Sequence, residues 1–250
     1  MIRKLVQNRV FKYWNESDRR GYDWAGNRVA ELRPRRLLDV GCGDGSRLLK
    51  YLKHSPEVFC GIEGHPVLMQ KARDRGLQVQ TFDLNRSWPY ADAAFDVVHA
   101  SQVIEHVHNT RWFVSEALRV LAPGGFAILT SENLTSWLNT AASILGFTPF
   151  SLQQTCGWYL GNPLGLHDAE EIAIDLHPVP LDDPAFSGIS GHVRVLGSRQ
   201  ASELFHRVGF KNVEVKTMGL MPCPGWLGRR LERVFKQRGH WLLIAAQKGM

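Results

Sequence analysis

Cysteine is scarce in this chain. There are four in 250 residues, at positions 42, 60, 156 and 223, and no two stand at a metal-ligand spacing. Thiols so scattered exclude a disulfide framework and a cysteine-ligated zinc site, and they suit a reducing compartment. No apolar run reaches the length of about 18 residues that a spanning helix needs. The start, Met1-Ile2-Arg3-Lys4-Leu5, lacks the apolar stretch of a secretory signal, so a cytoplasmic protein is expected. Internal repeats and low-complexity tracts are missing as well. Lysine and arginine are absent from 161–190, which holds Asp168, Glu170, Glu171, Asp175, Asp182 and Asp183. Elsewhere the balance reverses to give a net charge of +6: residues 1–36 carry ten Lys or Arg against four acids. Residues 226–240 add Arg229, Arg230, Arg233, Lys236 and Arg238 against Glu232 alone. Two basic ends could attract an anionic membrane or another polyanion, although solvated helix faces are the plainer reading. With 44% apolar residues, one substantial core and one domain are expected.

What is present begins at Leu37-Leu38-Asp39-Val40-Gly41-Cys42-Gly43-Asp44-Gly45. A short apolar run ends in an acid and then in glycines at alternate positions. This pattern predicts a buried parallel strand running into a turn too tight for side chains. Glycine tolerates positive φ there and lets a ligand lie directly on the backbone. The dinucleotide fingerprint G-x-G-x-x-G is not met, because Ser46 stands where its last glycine should be. Ser46 to Leu52 reads as the helix that leaves the turn.

Further strands end in polar groups of similar kind. Val58-Phe59-Cys60-Gly61-Ile62 runs into Glu63-Gly64, and Leu77 to Phe82 runs into Asp83-Leu84. Ala94 to Ala100 opens onto Ser101-Gln102, and Phe126 to Thr130 follows the turn Leu121-Ala122-Pro123-Gly124-Gly125. A carboxylate at the tip of the second strand is placed to accept from both hydroxyls of a ribose. Asp83 could accept from an exocyclic adenine amine, with Leu84 supplying a backbone N–H and an apolar cover for the base. Helix-length segments separate the strands, so the sheet is expected to be parallel and doubly wound, with ligands at the carboxyl ends of its strands.

Taken together, Leu38 to Gly45, Glu63, Asp83, Phe95-Asp96-Val97-Val98, Glu105-His106-Val107 and Leu118 to Gly125 resemble a class I S-adenosylmethionine-dependent methyltransferase of the small, single-domain type. The resemblance is close from about Arg35 to Thr130 and looser at the end of the chain. It implies an α/β fold with a doubly wound, mostly parallel seven-stranded sheet of Rossmann-like kind, and an inserted region after strand five. The divisions are an N-terminal helical lid at 1–34, a cofactor-binding core at 35–132, a substrate-side insertion at 133–197, and a C-terminal helix with antiparallel sixth and seventh strands at 198–250. It further implies S-adenosylmethionine as cofactor, its methionine part over Gly41, Cys42, Gly43, Asp44 and Gly45, its ribose on Glu63 and its adenine on Asp83 and Leu84. Asp39 would support the turn or hold the methionine amine. The exit from strand four, Ala100-Ser101-Gln102-Val103, lacks the Asn/Asp-Pro-Pro-aromatic pattern of enzymes that methylate base amines, which argues against nucleic acid as partner.

Substrate identity should lie beyond strand five. Leu134, Trp137, Leu138, Ala141, Ile144 and Leu145 recur at helical spacing, as do Trp226, Leu227, Leu231, Val234 and Phe235. Each segment could touch lipid, wall a pocket for a greasy acceptor, or simply pack on the sheet. Residues 148–197 are rich in Gly and Pro, and so long a stretch suits an insertion over the active site. Its His167, Asp168, Glu171, Asp175, His177 and His192 match no ligand motif, and no metal is expected. After it, Ser198 is expected to cap a helix over Arg199 to Val208. A sulfonium is already an activated methyl donor, so the protein has only to align the acceptor and exclude water. Where the acceptor is a hydroxyl, a base helps, and His106 and His192 are the residues proposed for it, ahead of His108 and His167. The expected function is methyl transfer to a small-molecule or lipid-like acceptor. A non-catalytic protein that binds the same cofactor is the alternative, and a nicotinamide-dependent oxidoreductase a more distant one.

Overall fold

The computed structural model describes residues 2–152, 192–223 and 225–250, with side chains from Lys12 onward. In chain order its elements are α1 (Ile2–Leu32), β1 (Arg36–Val40), α2 (Ser46–Leu49), β2 (Val58–Ile62), α3 (Pro66–Asp74), β3 (Gln78–Gln80), β4 (Phe95–Ser101), a 3-10 turn (Ile104–His106), α4 (Thr110–Val120), β5 (Leu121–Glu132), α5 (Trp137–Ile144), α6 (Ser198–Val208), β6 (Asn212–Met218), α7 (Gly225–Glu232) and β7 (Trp241–Gln247).

The strands form one seven-stranded sheet in the order β3-β2-β1-β4-β5-β7-β6. β1 pairs in parallel with both β2 and β4, and β4 in parallel with β5. The sheet therefore reverses its winding between β1 and β4, and the crevice of a doubly wound sheet opens at such a point. The central strands are near-continuous apolar runs because helices cover both faces. Leu37, Leu38 and Val40 of β1 are fully buried, as are Ala127 and Ile128 of β5. α1 lies on the sheet from Trp14 onward, with Trp14, Ala25 and Val29 in the core. Gly26 allows this, since a Cβ there would meet the Tyr51 ring at 2.1 Å.

Several boundaries differ from those expected. β3 is a three-residue edge strand, and α2 is a single turn instead of a helix reaching Leu52. β5 begins at Leu121, so the expected Pro-Gly-Gly turn lies within a strand of twelve residues whose ladder to β4 shifts register between Phe95 and Val97. The expected antiparallel pair at the end is found, β6 against β7. β7 runs antiparallel to both β5 and β6, so β6 points the same way as the first five strands and β7 alone opposes them. Ser198 is the first residue of α6 and Gly197 is its cap. A Cβ at Gly197 would meet Thr135 Cγ2 at 2.8 Å, which accounts for glycine at that place.

α5 is shorter than the apolar spacing suggests, and the Ser136 hydroxyl accepts the Asn139 N–H at its start. Leu138 and Ala142 enter a small cluster with Trp14, Met221 and Trp241. Trp137, Ile144 and Leu145 face outward, at 41%, 78% and 70% exposure. The helix thus carries apolar side chains on its solvent face as well as its buried one.

Candidate active site

The glycine turn is held by β2: the Gly41 and Cys42 N–H groups both donate to the Ile62 carbonyl, at 2.8 and 3.1 Å. Gly41, Gly43 and Gly45 have φ of +68°, +56° and +77°, a region that L side chains rarely adopt. Two of them are glycine for different reasons. A Cβ on Gly41 would run into Val103 Cγ2 at 2.5 Å, whereas one on Gly43 would meet nothing within 4 Å. Gly43 therefore fronts open space, as a backbone cradle requires. A Cβ on Gly64, beside Glu63, would likewise meet nothing within 4 Å.

Glu63 ties the cradle together. Its Oε2 accepts the Gly43 N–H at 2.9 Å and its Oε1 accepts the His65 N–H at 2.8 Å. The carboxylate at the end of β2 is thereby fixed by two backbone donors, with lone pairs left for a diol. Asp44 takes no part in this. It accepts the Ser46 N–H at 3.0 Å and hydroxyl at 2.6 Å and pairs with Arg75 at 3.1 Å. Partial burial would raise its carboxyl, but Ser46 and Arg75 hold it below the usual carboxylate value. Cys42 is a buried spacer whose thiol is pushed up by burial and by the nearby Asp39 and Glu63 charges. It offers no reactive thiolate. Asp83 lies exposed past the end of β3, its Oδ1 accepting both the backbone N–H and the side-chain amide of Asn85 at 2.9 Å. Leu84 packs against the main core cluster.

Asp39 sits behind the turn, 3% exposed. Its Oδ1 lies 2.6 Å from His99 Nδ1, and His99 Nε2 lies 2.9 Å from the Ser101 hydroxyl. This relay joins the ends of β1 and β4 and orients Ser101, and His99 is a member that the sequence reading missed. The signal was available, since a polar ring within the apolar run Val97-Val98-His99-Ala100 must find a buried partner. Gln102 has φ of +55°, and its backbone and side-chain N–H groups both turn to Thr130 of β5, at 2.9 and 3.3 Å.

A second group gathers at the carboxyl ends of β4 and β5. Glu105, in the 3-10 turn after β4, is fully buried, and its Oε2 accepts the Ser131 hydroxyl at 3.0 Å. Burial pushes its carboxyl up to about 8; its own backbone N–H and Ser131 pull the other way, while the Glu132 charge adds to the rise. His106 follows it, and the His106 and His192 rings meet edge to face with centroids 4.7 Å apart. His192 Nδ1 donates to the Ser151 carbonyl at 2.7 Å and lies 4.0 Å from Glu132 Oε2. Buried His240 brings its Nε2 to 3.5 Å from the same Glu132 oxygen. The two histidines expected to be catalytic therefore come together, 86 residues apart in sequence. His108 is exposed, and His167 lies outside the described residues, as do Asp168, Glu171, Asp175 and His177. Glu105, Ser131, Glu132 and His240 were missed. Glu132 closes its strand in the manner of Glu63, but it lies beyond the point where β5 was expected to stop.

A doubly wound sheet with a bare-backbone cradle at β1 and a fixed carboxylate at β2 defines a nucleoside-binding protein of Rossmann-like architecture. A family profile described as a methyltransferase domain matches residues 14–215, and the chain belongs to this family of S-adenosylmethionine-dependent methyltransferases. Ajmaline N-methyltransferase of Rauvolfia serpentina is 35% identical over 109 residues, which cover 41% of this chain and 38% of the relative. A ubiquinone/menaquinone biosynthesis C-methyltransferase of Dinoroseobacter shibae is 29% identical over 133 residues, 50% of each chain. The chain thus spans about a third to a half of the length of the curated relatives it matches. Among solved structures, a SAM-dependent methyltransferase of Archaeoglobus fulgidus matches with a TM-score of 0.54 over 98% of this chain and 94% of its own. At 16% identity that likeness is one of fold. Among the described residues no helix is long and apolar enough to cross a membrane.

Proposed function

We propose that the chain transfers the methyl group of S-adenosylmethionine to a small-molecule or lipid-like acceptor held at the carboxyl ends of β4 and β5. The observation that carries this is the pairing of the open cradle at Gly43, buttressed by Glu63, with a polar cluster at the neighbouring strand ends. The cradle suits the cofactor: Glu63 would hold its ribose, Asp83 and Leu84 its base, and the glycine turn its amino-acid part. Asp39 and His99 would brace that turn from behind. When bound, the cofactor supplies a methyl carbon whose bond to sulfur breaks as the acceptor's lone pair takes it, leaving a neutral thioether, while any acceptor proton goes to a base or to solvent. The protein's own contribution is alignment and dryness. His106 and His192 face one another on the acceptor side, and the Ser151 carbonyl fixes the His192 tautomer so that Nε2 carries the lone pair.

The matched relatives are named for ajmaline and for ubiquinone/menaquinone biosynthesis, which favours a compact organic acceptor over a macromolecule. Incubating the purified chain with methyl-labelled donor and a small-molecule and lipid extract tests the reading. Label is expected in an extractable product. Retained affinity for S-adenosylhomocysteine without any transfer would favour a non-catalytic binder instead, and tight binding of NADH would favour the oxidoreductase.

The outer face of α5 supports a contact with anionic membrane as part of the same reading. Trp137, Ile144 and Leu145 are exposed on and just after α5, and in the α7 region Trp226 and Val234 are 62% and 72% exposed. The Trp137 and Phe235 rings touch edge to face at 5.7 Å, and Arg238 lies 5.7 Å from the Trp137 ring centroid. Apolar side chains with arginines alongside are what an interfacial helix presents to anionic lipid. The chain is expected to float with anionic vesicles at low salt and to be released as salt rises. Absence of flotation at low salt ends the idea.

A further inference from the structure

We propose that Glu105, His106 and His192 form a binding site for a divalent transition-metal ion of the zinc class. Each offers one donor atom, and these atoms lie within 4.8 Å of one another. Two imidazoles and one carboxylate make a borderline donor set, suited to Zn²⁺ or Co²⁺ and poor for Ca²⁺ or Mg²⁺.

Three features separate this group from a chance cluster of polar side chains. Glu105 is fully buried. Its Oε2 is satisfied by Ser131, but its Oε1, equally buried, accepts no hydrogen bond among the described residues. Leaving such an oxygen without a partner is costly, and a cation is the partner that repays the desolvation of a carboxylate. His192 donates its Nδ1–H to the Ser151 carbonyl, the outer contact that metal-ligating histidines use to aim the other nitrogen. Finally, the site is built across the chain. The Val193 and Arg194 N–H groups both donate to the Glu105 carbonyl, at 2.8 and 3.1 Å, pinning His192 beside the 3-10 turn. Glu132 adds a second buried acid, with Oε2 at 4.0 Å from His192 Nδ1, so the local charge also favours a cation.

With three protein ligands the ion keeps a position open, as catalytic zinc sites do. Its use in the reaction rests on the methyl-transfer reading above: an acceptor hydroxyl at the open position would lose its proton more readily, and the proton would go to solvent. The binding itself stands on the side chains alone.

The two can be told apart by experiment. The purified chain, stripped with chelator, is titrated with Zn²⁺ by calorimetry and with Co²⁺ by visible absorption, and its affinity for S-adenosylhomocysteine is measured separately. One saturable equivalent of metal is expected, with the intense absorption of low-coordinate Co²⁺. Glu105→Gln and His106→Ala are expected to lose it, and Ser131→Ala to weaken it by roughly 10- to 100-fold. Affinity for S-adenosylhomocysteine should hold in each variant, which also certifies its fold. No saturable binding by the unaltered chain, or equal affinity in Glu105→Gln, overturns the metal site and leaves the donor site standing. Metal binding without any affinity for S-adenosylhomocysteine keeps the ion site and removes its assignment to methyl transfer.

Discussion

Replacing Glu63 with alanine is expected to weaken binding of S-adenosylhomocysteine by roughly a hundredfold or more, as read by calorimetry. The carboxylate is already fixed by the Gly43 and His65 N–H groups, so it meets a ribose without first being ordered. Two hydrogen bonds from a diol to a charged acceptor contribute about 1.5–3 kcal/mol each, and about 1.4 kcal/mol is a factor of ten. Glu63→Gln should fall between, because an amide has one accepting atom for the work of two and turns an N–H toward one of the backbone donors. Gly43→Val probes the same cradle by filling the open space that its own backbone borders. Unchanged affinity in both Glu63→Ala and Gly43→Val would show that the nucleoside lies elsewhere.

His192→Ala is expected to lower turnover by roughly a hundredfold or more, the usual scale for a positioned acid–base group, with affinity for S-adenosylhomocysteine unaltered. The separation follows from placement. His192 touches the His106 ring and the Ser151 carbonyl, whereas the cradle is built by β1 and β2. The loss should fall mainly on kcat, since the ring, whether as base or as ligand to a bound ion, activates the acceptor more than it grips it. A rate equal to that of the unaltered chain would exclude His192 from the chemistry. A parallel loss of cofactor affinity would mean that the residue supports the fold of the site instead.

The donor half of the site was legible in the sequence because its chemistry is local. Glycines at alternate positions after an apolar run, and an acid at the next strand's tip, are short-range patterns with direct steric and hydrogen-bonding reasons. The acceptor half was not, because tertiary pairing assembles it. Glu105 and His106 come from the turn after β4, Ser131 and Glu132 from the end of β5, and His192 from the end of the insertion. The register of the sheet, two bonds to the Glu105 carbonyl and the Ser131–Glu105 and His192–Ser151 contacts bring them together. A buried acid in Val103-Ile104-Glu105-His106-Val107 was still a visible anomaly, since an acid flanked by apolar residues needs a partner. The antiparallel pairing of the last two strands was expected and is found, but which of them opposes the other five could not be read from β6. Its exposed and half-buried residues alternate as on any edge strand, and polarity along a strand leaves no trace in composition. The outward apolar face of α5 defeats a periodicity argument for a simpler reason: such arguments presume that apolar means inward.

The opposed strand β7 has a consequence for how the chain matures. It inserts between β5 and β6, pairing Phe126 with Gln247 on one side and Asn212 with Gln247 on the other. Until residues 241–247 have left the ribosome, β6 has no neighbour and β5 presents a raw margin along Phe126 to Glu132. Nascent chains should therefore lean on holding chaperones until β7 emerges, after the other six strands have been made.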